Sequence, residues 1–139
     1  MAEKLGATIE MLAVGMSETY EQTITDADVE AFAVLSGDNN PVHLNDAYAK
    51  ASRFKKRIAH GLLSASFFSA LFGTKLPGHG CVYVSQSLNF QRPVYIGDTV
   101  EATIEIIGID KDKSRVLFKT LCTVRDKTVI DGKAEIYIP

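Results

Sequence analysis

The chain is poor in cysteine and has no long apolar run, and each shortage excludes a class of protein. Its 139 residues include two cysteines, Cys81 and Cys122, without a Cys-x-x-Cys spacing. A structural zinc site needs more soft ligands than these, and a cytosolic chain seldom needs a bridge. The expectation is two reduced, buried thiols in strand-like segments, and no metal. Nothing approaches the run of about 20 apolar residues that crosses a bilayer. The start, Met1-Ala2-Glu3-Lys4-Leu5-Gly6, lacks the apolar core of a secretory signal. A cytoplasmic protein with no membrane partner is expected. A net charge of −2 gives no general attraction for nucleic acid. Arg53 to Arg57 is the one candidate for a local basic patch. No internal repeat or low-complexity linker interrupts the chain, and 46% hydrophobic content suits one substantial core. A single domain over residues 1–139 follows.

What is present falls into two halves. Thr25-Asp26-Ala27-Asp28 reads as a helix start, with a threonine and an acid three residues on, ahead of Val29, Phe32 and Ala33. Gly37 stops that helix. A short helix then starts at Asn45 or Asp46, where an Asx side chain can cap free amides. From Gly61 to Phe72 large residues face nearly every direction and no charge occurs, the mark of a wholly buried helix. Gly73 and Pro77-Gly78 are expected to end it. After Gly80 the period becomes two: Val100, Ala102, Ile104 and Ile106 alternate with polar residues. Residues 117–124 and 129–138 are also strand-like, joined by charged turns at 110–113 and 126–127, and Gly97-Asp98 reads as a hairpin turn. Helices first and strands afterwards predict an α+β domain. A buried helix beside antiparallel strands packs most economically when the sheet curls around it, the hot-dog arrangement.

The most informative stretch runs from Leu35 to His43. Asn40-Pro41 is a strong turn pair, so Asp38 and His43 cannot share one regular helix. A turn can aim the carboxylate and the imidazole at one point, where together they can hold and activate a water molecule. The alternative is that Gly37-Asp38-Asn39-Asn40-Pro41 only closes a helix and opens a loop. Asn40 either holds Asp38 or His43 or closes an Asx turn. His60-Gly61 opens the buried helix, whose first amides suit a developing oxyanion. Its alternative is a glycine that relieves crowding beside a hydrogen-bonded core histidine. Ser69 lies two turns from Gly61 on the same face, with Ala65 between them. That face either forms a groove for ligand or buries a serine bonded to its own helix.

From Phe32 to His43 the order Phe-Ala-Val-Leu-Ser-Gly-Asp-Asn-Asn-Pro-Val-His resembles the signature of the MaoC-like dehydratases, which include the (R)-specific enoyl-CoA hydratases of the PhaJ type. Ile58-Ala59-His60-Gly61, Leu76-Pro77-Gly78, the segment 85–90, the segment 92–98 and Asp131-Gly132-Lys133-Ala134-Glu135 resemble family segments in family order, over nearly the whole chain.

The resemblance implies the hot-dog fold, a homodimer, and reversible addition of water to a trans-2-enoyl-CoA giving the (R)-3-hydroxyacyl-CoA. Asp38 and His43 would share the water, and the Gly61 amide would hold the thioester oxygen. Ser69 matches a serine near the family's active site. Asn40, Ser69 and Phe72 are the expected substrate-binding residues, with Phe67, Phe68 and Phe72 bordering the acyl tunnel. No cofactor is implied beyond the coenzyme A of the substrate. Arg53, Lys55, Lys56 and Arg57 form either a solvated face or a contact for coenzyme A phosphates. Rival readings are a dehydratase acting on acyl carrier protein, a hot-dog thioesterase, and a non-catalytic acyl-CoA sensor.

Overall fold

A computed structural model describes residues 6–139. After a single 3-10 turn at Ile9–Met11 comes a strand, β1 (Ser17–Thr23), followed by helices α1 (Asp26–Ser36), α2 (Pro41–Leu44), α3 (Asp46–Ala51) and α4 (Gly61–Thr74). Strands β2 (Val82–Gln86), β3 (Asn89–Phe90), β4 (Thr99–Asp110), β5 (Arg115–Val124) and β6 (Lys127–Tyr137) complete the chain. Thr25 accepts from the Asp28 amide while Asp28 accepts from the Thr25 amide, a closed capping box. Such a cap typically contributes about 1 kcal/mol. Gly37 adopts φ 81° and ends α1 through its amide on the Ala33 carbonyl. Asn45 caps α3 with its side chain on the Tyr48 amide.

The six strands form one antiparallel sheet in the order β1-β4-β5-β6-β2, with β3 also on β6. Helix α4 packs across β1, β4 and β5. Val100, Ala102, Ile104 and Ile106 of β4 are fully buried on one face. They meet Phe68, Leu71 and Phe72 of α4 and Phe118 of β5 in one apolar cluster. Burying side chains of this size stabilises by roughly 1.5–3 kcal/mol each. The α+β class and the sheet packed over a central helix are both observed, but α4 is not wholly buried: Leu63, Phe67, Phe68, Leu71 and Phe72 face the sheet while Leu62, Ser66, Ser69 and Ala70 are exposed.

Four local expectations are corrected. A strand precedes the helices: Ser17–Thr23 pairs with β4 through residues alternately exposed and half-buried. Its polar letters, Ser-Glu-Thr-Tyr-Glu-Gln-Thr, carry no apolar alternation to read. Gly73 does not end α4, which runs one residue further because glycine tolerates the last turn. Gly97 and Asp98 form a turn, but it joins the isolated bridge at Tyr95 to β4 rather than two strands of a hairpin. Cys122 is buried in β5 as expected, whereas Cys81 is only half-buried and precedes β2. Both thiols are free, and burial pushes the Cys122 thiol up to about 12.

Candidate active site

Short-range turns aim the acid. The left-handed Gly37 releases the chain from α1, and the Ser36 hydroxyl accepts from the Asp38 amide at 3.1 Å. The Asp38 carboxylate then accepts from the Asn40 amide at 3.2 Å, and the Asn40 side chain accepts from the Val42 amide at 3.3 Å. Asn40 thereby caps α2, with Pro41 in the first helical position, where its missing N–H costs nothing. Of the two roles open to Asn40, its side chain takes the cap and its main chain orients Asp38. The Asp38 side chain remains exposed at the cleft.

The imidazole is fixed from three sides. His43 lies on α2, buried, with Nδ1 2.7 Å from the Ile58 carbonyl oxygen. A carbonyl only accepts, so Nδ1 carries the hydrogen and Nε2 is left as the basic nitrogen. The Arg57 Nε donates to the His43 carbonyl at 2.7 Å, while its guanidinium pairs with Asp26 at 2.5 Å. Burial lowers the His43 pKa below the ordinary 6.5; the Ile58 bond opposes this, His60 adds to it and Asp38 opposes it. The net direction favours the neutral ring, the form able to accept a proton.

A third residue completes the cluster. His60 caps α4 immediately before Gly61, and its ring stacks on His43 with centroids 3.9 Å apart and planes 28° apart. One carboxylate oxygen of Asp38 and one nitrogen from each histidine lie within 4.8 Å of one another. A water placed centrally among such atoms sits about 2.8 Å from each, ordinary hydrogen-bond range. A metal fits less well. In a face-to-face stack, an ion bonding in the plane of one ring stands beside the face of the other, whereas imidazole ligands meet a metal along their ring planes.

Two clefts converge here. One, of about 380 Å³, is lined by Asp38, His60 and Leu62. The other, of about 250 Å³, is lined by Arg53, Phe54 and Arg92. His43, Gly61 and Phe90 line both. Phe90 stands on β3, whose flanks are held by one carboxylate: Asp131 accepts from the Asn89 side chain at 2.9 Å and from the Gln91 side chain. Gly132 on β6 lets the chain just before β3 pass close, since a Cβ there would fall 1.8 Å from the Ser87 carbonyl oxygen.

Asp38, His43 and Gly61 therefore come together, as the sequence suggests. Ser69 and Phe72 do not line these two clefts. Ser69 is exposed on α4 rather than buried, and Phe72 is buried against Phe118 and Tyr83 at 4.8 and 5.1 Å. The basic run divides. Arg57 is a half-buried strut, Lys56 lies over the Tyr95 ring, and Arg53, over Phe54, faces the smaller cleft. Sequence reasoning missed Phe90, the strut role of Arg57 beneath His43 and the double contact of His60. Only the adjacency of His60 to Gly61 gave a signal.

An antiparallel sheet curled over a buried helix, with an acid and an imidazole at that helix's first turn, defines a hot-dog protein with a polar site. The chain belongs to the MaoC like domain family, whose model matches residues 13–130. It is 51% identical over 125 residues to the (R)-specific enoyl-CoA hydratase of Rhodospirillum rubrum, covering 90% of this chain and 87% of that one. It is 44% identical over 130 residues to the 3-hydroxybutyryl-CoA dehydratase of Methylorubrum extorquens, covering 94% and 83%. The solved R-hydratase PhaJ1 of Pseudomonas aeruginosa superposes with a TM-score of 0.91 at 42% identity, covering 96% and 86%.

Proposed function

We propose that this protein is an (R)-specific enoyl-CoA hydratase, adding water reversibly to trans-2-enoyl-CoA to give (R)-3-hydroxyacyl-CoA. The observation that carries the reading is the convergence of the Asp38 carboxylate and the His43 ring on one water-sized space beside Gly61. Asp38 holds the water and His43 Nε2 takes its proton as the oxygen attacks C3. Electrons move from the C2–C3 double bond onto the thioester oxygen, which the Gly61 amide stabilises at the positive end of α4. The proton then passes to C2. Oxygen and both hydrogens of the water are thereby placed, and no cofactor enters apart from the coenzyme A of the substrate.

The two clefts meeting at Gly61 suit a thioester with one arm on each side. The basic mouth with Arg53 and Arg92 takes the anionic carrier, and Asn40 keeps Asp38 in place. The acyl chain is assigned to the other cleft, where Phe32, Leu62 and Phe90 supply bulk that favours short chains; Ser69 and Phe72 lie outside it. The same reading makes the protein a cytoplasmic homodimer.

Hydration of crotonyl-CoA tests the proposal against its rival. A thioesterase would instead release free thiol from saturated acyl-CoA and leave crotonyl-CoA unhydrated. Activity on acyl carrier protein thioesters alone would move the carrier assignment and leave the chemistry intact.

A further inference from the structure

His60 touches everything the chemistry above requires. Its main chain leads directly into Gly61. Its ring covers one face of His43 at 3.9 Å, and Phe32 packs on it at 4.9 Å. Its Nε2 lies 2.9 Å from the Asp38 carbonyl oxygen, which fixes the hydrogen on Nε2 because a carbonyl only accepts. The ring is 2% exposed.

The other nitrogen makes this informative. Nδ1 is buried and has no hydrogen-bond partner among the described residues. An unpaired polar atom in a core carries a desolvation penalty that a phenylalanine or leucine of similar bulk avoids. Packing alone therefore gives no reason for histidine here. The bond made by Nε2 does.

Resting on the hydratase reading, we infer that His60 is a positioning residue that ties the acid and the imidazole into one geometry. Through Nε2 it fixes the backbone of Asp38, and through its face it fixes the plane of His43. Neither contact needs the substrate, so the arrangement stands ready before binding. A displacement of about 1 Å in such a pair can lower turnover by about a hundredfold. Charged groups near His43 on other elements are Asp38, Arg57 on its carbonyl, and Arg53 and Arg92 at the shared cleft.

The test compares His60→Gln, which retains a donor near Nε2, with His60→Phe, which retains a ring over His43, and with His60→Leu, which retains neither. With crotonyl-CoA, kcat is expected to fall roughly tenfold in each of the first two and roughly a hundredfold in the third, with KM within about threefold of wild type. A folded His60→Leu with kcat within about twofold of wild type overturns the inference, as does a loss confined to KM. Should His60→Leu fail to fold, the first two variants decide by the same criteria. An NMR titration of the His43 ring supplies a readout independent of turnover. Its midpoint is expected to rise in His60→Gln, where the covering ring is gone; an unchanged midpoint contradicts the stacking role. Wild-type protein inactive on crotonyl-CoA would sink the hydratase reading instead, and the titration would still judge His60.

Discussion

The Phe90 ring lies so close over Gly61 that a Cβ on residue 61 would stand 2.5 Å from its Cε1. A side chain at this position therefore displaces a neighbouring ring as well as crowding any ligand. Gly61→Ala forces the ring away, and because Phe90 is 55% exposed it can swing outward with the fold intact. The expected result is near-normal melting and a fall in turnover of about 10²-fold, the scale for a lost oxyanion contact. The alanine keeps the amide, but its methyl and the displaced ring crowd the thioester away from it. Adding Phe90→Ala to Gly61→Ala is expected to restore part of the activity, read as kcat on crotonyl-CoA. A double variant no better than Gly61→Ala would remove Phe90 from the explanation.

Asp38→Asn and His43→Gln keep size and much of the hydrogen bonding while removing proton transfer. Each is expected to lose roughly 2–4 orders of magnitude in turnover with substrate binding retained. The double variant is expected to be little worse than either single, since groups acting on one water lose their joint effect once. Additive losses in steady-state kinetics would assign them separate roles.

The pH dependence follows from His43. Its folded pKa is lowered, first by burial, and the neutral ring is the base. The acidic limb of kcat/KM is therefore expected below 6.5, the ordinary histidine value. For stability the sign is the same. The group's contribution is full above the unfolded value and is lost as pH falls through the lower folded one. Melting curves of wild type and His43→Gln are expected to converge in that acid window. An acidic limb above 6.5 would contradict a buried neutral base.

Much of this architecture was legible because local rules and tertiary structure agree. The Thr25–Asp28 box, the Gly37 stop and the β4 alternation rest on short-range chemistry that packing leaves alone. From the residues alone the site was legible where they are close in sequence, and Gly61 was joined to the pair by the family resemblance. Asp38 and His43 are five apart, so a turn foretells their meeting. Phe90 and Gly61 are 29 apart, and their contact depends on the pairing of β3 with β6, where Asp131 also holds the Asn89 side chain. The strand β1 was invisible for a related reason: its face is set by its partner β4, not by its own polar letters.

Strand β2 ends the sheet with Val82, Tyr83 and Val84 all exposed. Such an apolar edge invites pairing with a second copy. A particle of twice 15.2 kDa is expected at micromolar concentration by sedimentation equilibrium, and Val84→Lys is expected to shift it toward 15.2 kDa. A wild-type monomer would remove the homodimer from the proposal.

Phe72→Ala is expected to cost about 3–5 kcal/mol in unfolding free energy, because the ring is buried against Phe118 and Tyr83. Because the ring lines neither cleft, the chain-length profile of turnover is expected to stay unchanged. Faster turnover of longer enoyl-CoAs relative to crotonyl-CoA would instead place Phe72 beside the acyl chain.

The most direct test of the central claim is hydration of crotonyl-CoA by the wild-type protein, with the configuration at C3 of the product determined. Loss of the enoyl absorbance with accumulation of (R)-3-hydroxybutyryl-CoA, and no free thiol, is the result expected of Asp38 and His43 acting on one water beside Gly61. Thiol release without hydration, or an (S) product, would contradict it.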